Sequence, residues 1–294
     1  MIGELSALAT AFCWSGSSIS FAEASQIVGS VRVNVTRLFL AAVLLGATLA
    51  IFEIPFNVSL TQLADLFISG ILGLVIGDSF LFKSYEYLGA RISSLIMSTA
   101  PALTAVLAFL LLHESLSLSA IIGMVITLFG IGLVIGGRQT VTRTTPKVTG
   151  LGILYAFLGS CGQAGGLITA KLAFNDGPID GLSATFIRIV SALILMLPLS
   201  AMAGKFVSLQ GIFHFKGKVF GLTLLGAILG PCLGITFSLI AIAHTKVAVA
   251  ATIMAIVPII MLPLVRILYK EILNWRAYAG AVIAVAGVAI LFYV

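Results

Sequence analysis

Ten apolar runs, each close to the length that crosses a bilayer as a helix, dominate this sequence. They cover residues 4–23, 31–52, 65–84, 92–112, 118–136, 150–172, 182–203, 218–241, 247–269 and 275–293. The hydrocarbon core is ~30 Å thick, so a spanning helix needs roughly 20 apolar residues. A backbone inside lipid must satisfy its own hydrogen bonds, which leaves helices and closed barrels. Barrel strands alternate apolar and polar residues over about ten positions, whereas these runs are twice as long and apolar on all sides. The expectation is an all-α polytopic membrane protein with ten transmembrane helices.

Composition agrees. Charged residues make up 9% of the chain and apolar residues 60%, against ~25% charged in soluble domains. So few charges exclude disorder and could not cover a soluble fold. The formal net charge is +6, but the basic residues sit in short connections between apolar runs. They therefore read as topology signals rather than a nucleic-acid surface. Cys13, Cys161 and Cys232 lie in apolar runs without a CxxC, and His113, His214 and His244 are scattered. No disulfide framework, metal site or cofactor is indicated. Met1-Ile2-Gly3-Glu4 lacks a basic n-region, so the first run is expected to remain as a span.

The chain repeats itself. Pro101, Glu114, Gly123 and Gly130 recur as Pro258, Glu271, Gly280 and Gly287 at a constant offset of 157 residues, and Leu116 matches Leu273. Thr36-Arg37-Leu38 aligns with Ile187-Arg188-Ile189 at another offset, and Gly73 and Gly77 align with Gly226 and Gly230, small loop indels accounting for the changes. In this register Asp78 corresponds to Pro231. The expected units are residues 1–137, a polar linker at 138–149, and 150–294. Each unit has five spans, an odd number, so the second must enter the membrane in the opposite sense. Such inverted repeats are a transporter architecture, with the solute site at the midplane between them. Arg32, Arg37, Lys83 and Arg91 lie near the 1–2 and 3–4 connections. Lys205, Lys216, Lys218, Arg266, Lys270 and Arg276 lie near the 7–8 and 9–10 connections, with Arg138, Arg143 and Lys147 of the linker on the same face. Homologous loops thus carry opposite bias. The larger basic count places that second face in the cytoplasm and both termini outside.

Three features together resemble the EamA-type members of the drug/metabolite transporter superfamily. They are Phe12-Cys13-Trp14-Ser15-Gly16 in the first run, an Arg early in the second and seventh runs, and the Pro…Glu…Gly…Gly pattern closing each half. The resemblance covers nearly the whole chain. It implies ten helices, two inverted five-helix repeats, a central cavity, and export or exchange of small metabolites; substrate identity does not transfer. Two departures stand out. His113-Glu114-Ser115-Leu116-Ser117-Leu118 lacks the Lys or Arg that many bacterial relatives carry after this Glu, and many relatives place their termini inside.

Asp78 lies deep in the third run, where a carboxylate is costly and faces a cavity or a partner. Two readings stay open: a proton-coupling or solute-contacting acid, and a structural acid held by Arg37, Lys83 or Arg91. Arg37 and Arg188 leave two readings, binding of an anionic group and, favoured over it, snorkelling to the headgroups or pairing with a carboxylate. Glu114 and Glu271 read as turn carboxylates that accept backbone N–H bonds. Pro101 and Pro258 are expected to kink their helices and to act as hinges or cavity walls. Gly123, Gly130, Gly132, Gly136, Gly280 and Gly287 suit close helix packing. The candidate solute contacts are Trp14, Ser17 and Ser18; Asp78, Ser79, Ser94 and Ser98; and Ser160, Gln163, Thr236, Ser238 and Thr252. As a set they suggest a mildly polar, nearly uncharged cavity suited to neutral or zwitterionic solutes such as amino acids. The expected protein is a monomeric secondary transporter of the cytoplasmic membrane, with protons as coupling ion. Rival readings are a flippase for a lipid or lipid-linked solute and a membrane-embedded enzyme. No HExxH, paired intramembrane Asp, nucleophile turn or Walker A motif supports an enzyme or an ATP-driven pump.

Overall fold

The computed structural model describes residues 1–136, 149–202, 217–269 and 274–292. Every regular element among them is helical: α1 (Ile2–Val28), α2 (Ser30–Ile51), α3 (Leu60–Gly70), α4 (Asp78–Met97), α5 (Ala100–Leu111), α6 (Leu118–Gly136), α7 (Gly150–Asn175), α8 (Gly181–Met202), α9 (Gly217–Ala227), α10 (Ile235–His244), α11 (Val247–Met254), α12 (Val257–Tyr269) and α13 (Trp275–Leu291). Seven helical stretches are long and apolar enough to cross a membrane, the longest being Leu60–Ala90. Two shorter apolar helices close the halves, Leu118–Leu133 and Trp275–Leu291. Large apolar side chains face outward, as at Phe109, Phe129 and Val282. Serines and threonines are buried inside, among them Thr10, Ser15 and Thr252. That distribution suits lipid outside and polar contacts within. Glu271, the linker positions 138–148, and Lys205, His214, Lys216 and Lys270 lie outside the described residues.

The helix starts are written in the sequence. Ser59 and Gln62 form a capping box on α3: the Gln62 N–H donates to Ser59 Oγ at 3.1 Å and the Ser59 N–H to Gln62 Oε1 at 2.9 Å. Thr149 caps α7 and Asp180 caps α8. Both Pro-bearing runs break at the same place. α4 gives way to α5 at Ser98–Thr99, with Pro101 in the first turn of α5. α11 gives way to α12 at Ala255–Ile256, with Pro258 in the first turn of α12. Gly89, at φ 73°, turns the chain from the third span into the fourth.

Two π-helical segments, Ile71–Gly77 and Ile228–Gly234, join α3 to α4 and α9 to α10. Their separation is again 157 residues, which corrects the register expected upstream. Gly73 and Gly77 correspond to Gly230 and Gly234, and Asp78 corresponds to Ile235 rather than Pro231. The misreading placed a loop indel after these spans, when it belongs before them. In the corrected register Ser79-Phe80 also matches Thr236-Phe237.

Contacts between the halves come in exchanged pairs. A Cβ on Gly130 would lie 2.6 Å from the Gly280 carbonyl, and one on Gly287 would lie 2.8 Å from the Gly123 carbonyl. At the first π segment Gly77 packs on Gln163 and Gly73 on Gly166; at the second, Gly234 packs on Trp14 and Gly230 on Ser17. Ser98 Oγ donates at 3.3 Å to the carbonyl of Ala255, its own counterpart at the 157-residue offset. Exchanged contacts of this kind are the mark of a two-fold relation.

Candidate functional site

A cavity lies where the π segments, α1 and the broken helices converge. Its cavity volume is about 110 Å³, below the ~300 Å³ at which drug-sized sites begin and so suited to a small solute. One wall is aromatic and charged. Arg37, 3% exposed in α2, forms an ion pair with Asp78, the first residue after the π segment. Its Nε donates to Asn34 Oδ1 at 2.9 Å, and Asn34 Nδ2 donates to Ser79 Oγ at 3.0 Å. The guanidinium lies over the Phe82 ring at 4.6 Å and near Phe21 at 5.5 Å. Tyr85, fully buried beside Phe82, donates its hydroxyl to Ser18 Oγ at 3.2 Å.

The second arginine is placed differently. Arg188 sits in α8, 2% exposed. Its guanidinium packs on Gly73, where an added Cβ would meet a terminal nitrogen at 2.8 Å. Its Nε has no hydrogen-bond partner, and it enters no ion pair among the described residues. Asp78 acts on it electrostatically without bonding to it. Both arginines line the cavity with Asp78, so the expectation of a nearly uncharged cavity is corrected. Asp78 balances Arg37 and leaves Arg188 over.

The family models fit both halves: the EamA-like transporter family matches residues 1–136 and 150–293. The chain belongs to the EamA-like transporter family. No curated protein matches it. A solved structure titled "Crystal structure of protein" is similar over 98% of this chain and 95% of its own, at a TM-score of 0.71 and 15% identity. At that identity the likeness concerns the fold alone.

In this EamA-like chain the sequence candidates divide by the face they occupy. Trp14, Ser17, Ser18, Asp78, Ser94, Ser98, Gln163 and Ser238 line the cavity. Ser79, Ser160, Thr236 and Thr252 do not. Ser79 accepts from Asn34, Ser160 donates to Ala156 O and Ile96 O, Thr236 to Cys232 O, and Thr252 to Ala248 O. These are hydroxyls satisfied by backbone or by a neighbouring amide. Pro101 reaches the wall; on the other side Val257 does so in place of Pro258. Glu114 accepts the Val247 N–H at 3.1 Å, capping α11 across the halves rather than the helix that follows it in sequence. Sequence reasoning weighed anion binding by Arg37 and Arg188 but left them out of the solute contacts, and it passed over Phe21, Phe82 and Tyr85. The signal available was an arginine at matching depth in both halves.

Proposed function

We propose that this EamA-like chain is a secondary transporter that moves small zwitterionic or neutral metabolites, amino acids among them, across the cytoplasmic membrane by alternating access. The observation that carries the reading is a cavity lined by side chains of both repeats and bordered by the paired helix breaks. Ten spans form two inverted five-helix units, residues 1–137 and 150–294 joined by 138–149, working as a monomer. The exchanged contacts support the inversion, because a two-fold relation between units of five spans must lie in the membrane plane. Ser98–Thr99 and Ala255–Ile256 are the hinges, where i→i−3 bonds interrupt the α-helical pattern just ahead of Pro101 and Pro258 and ease bending. Ser17, Ser18, Ser94 and Ser98 supply hydroxyls to the solute, and Trp14 an apolar wall. Protons couple through Asp78, whose protonation removes the charge that holds Arg37.

The test is counterflow. Purified protein in liposomes loaded with an unlabelled amino-acid mixture is expected to accumulate labelled amino acids transiently, without ATP. Uptake no faster than in protein-free liposomes across the amino acids and their uncharged amides defeats the reading.

A further inference from the structure

We propose that Arg188 is the solute carboxylate site, so that the cavity selects small monocarboxylates, amino-acid zwitterions included. The inference rests on the transporter reading and deepens it. It starts from the comparison of two arginines in equivalent places. Arg37 is satisfied on every side by Asp78, Asn34 and two aromatic rings. Around Arg188 only the outer part of that network recurs, for its Nε is unpartnered and no ring contact to it is seen among the described residues. The Asn34–Ser79 hydrogen bond has its counterpart in Thr236 Oγ1 donating to Thr185 Oγ1 at 3.2 Å. Where the first half has Asp78, the second has Ile235, which also lines the cavity. The second half therefore keeps the arginine and the outer hydrogen bond and supplies no carboxylate to that arginine.

A buried guanidinium without a partner is costly, and such charges are held paired. Its planar fork matches a carboxylate in two parallel hydrogen bonds. The charge count fits one such group, because Arg37 and Asp78 cancel and Arg188 remains. Snorkelling to headgroups does not account for Arg188, since it is 2% exposed and lines the interior. The apolar part of the solute then meets Leu74, Met97 and Met254 on the same cavity wall.

The full-length protein in detergent is titrated with 3-phenylpropionate and with its uncharged amide, read by thermal stabilisation. The wild type is expected to prefer the carboxylate by about tenfold or more, the range of a charge-assisted hydrogen bond. Arg188→Gln erases that preference and raises the melting temperature of the ligand-free protein, because it removes an unpaired buried charge. Arg188→Lys retains part of the preference through its charge alone. Equal response to the two probes, no response to the carboxylate up to millimolar concentration, or a preference that survives Arg188→Gln overturns the assignment. So does an Arg188→Gln protein that melts lower or fails to fold, since Arg188 is then a structural residue. Carboxylate binding that depends on Arg188 without any flux in liposomes leaves the site standing and removes the transporter reading. Flux that is indifferent to the carboxylate and to Arg188 does the reverse.

Discussion

Asp78 and Arg37 form a pair, the arginine buried and the carboxylate partly so, whose members depend on each other. Removing one partner of a fully buried pair costs about 3–5 kcal/mol, because the other charge is left desolvated and unmatched, and the partial exposure of Asp78 reduces that cost here. Asp78→Asn is therefore expected to lower the melting temperature of the detergent-solubilised protein, and Arg37→Gln in the same chain to restore much of the loss. A double variant that melts at the sum of the two single losses shows that the side chains do not act as a pair. On the proposed coupling, Asp78→Asn also loses pH-gradient-driven accumulation while keeping solute exchange; unchanged accumulation makes Asp78 purely structural. Asp78 was legible in the sequence because a carboxylate among apolar residues stands out. Its aromatic surroundings were not, since Phe21 and Phe82 lie on different helices and meet only through packing. Helical phase could have excluded Ser79, which follows Asp78 directly and so points about 100° away from it. Trp14, Ser17 and Ser18 share one face at spacings of three and four, and all three reach the cavity.

Close approach of helices depends on a few glycines, and their sensitivity to a methyl group differs sharply. A Cβ on Gly166 would lie 2.8 Å from Gly73 Cα, a backbone atom that cannot turn aside. Nothing lies within 4 Å of a Cβ on Gly132. Gly166→Ala is expected to destabilise by about 1–3 kcal/mol, as overpacking does. Gly132→Ala is expected to be neutral or to stabilise by up to about 1 kcal/mol, from helix propensity. Thermal melts of the two variants side by side check this, and equal effects would show that the α7 contact is loose. Most spans were legible from hydropathy, yet their ends were not. The third run, read as 65–84, extends over Leu60–Ala90, because Lys83 and Glu86 pair with each other and Tyr85 is buried. Polar residues that satisfy one another do not stop a helix. The π segments escaped notice although Ile-Leu-Gly at 71–73 and 228–230 recurs at the same 157-residue offset as the Pro, Glu and Gly pattern.

At the scale of the whole molecule, the basic loops predict an orientation. The greater number of Lys and Arg lies at the face of the expected 7–8 and 9–10 connections, and we propose on that ground that this face is cytoplasmic and both termini lie outside. A reporter that fluoresces only in the cytoplasm, fused to Val294, is expected to stay dark. Bright fluorescence reverses the assignment without disturbing the fold. Orientation is legible only as a charge count, because short connections offer few residues and the helices themselves are indifferent to which way they enter.

The exchanged contacts carry a consequence for energetics under alternating access. If the halves were identical, the carrier facing one side would be the carrier facing the other with its halves renamed, and the two forms would be isoenergetic. Any resting preference must then originate at positions where the halves differ. Glycine pairs such as Gly130–Gly280 and Gly287–Gly123 contribute equally to both forms and cancel. Asp78 against Ile235, and Trp14 against Gln163, do not cancel. A bias of about 1.4 kcal/mol at such positions is enough to hold an empty carrier ten to one on one side. Under alternating access the resting direction is therefore set by positions where the halves differ, and not by those, such as the glycine pairs, that they share.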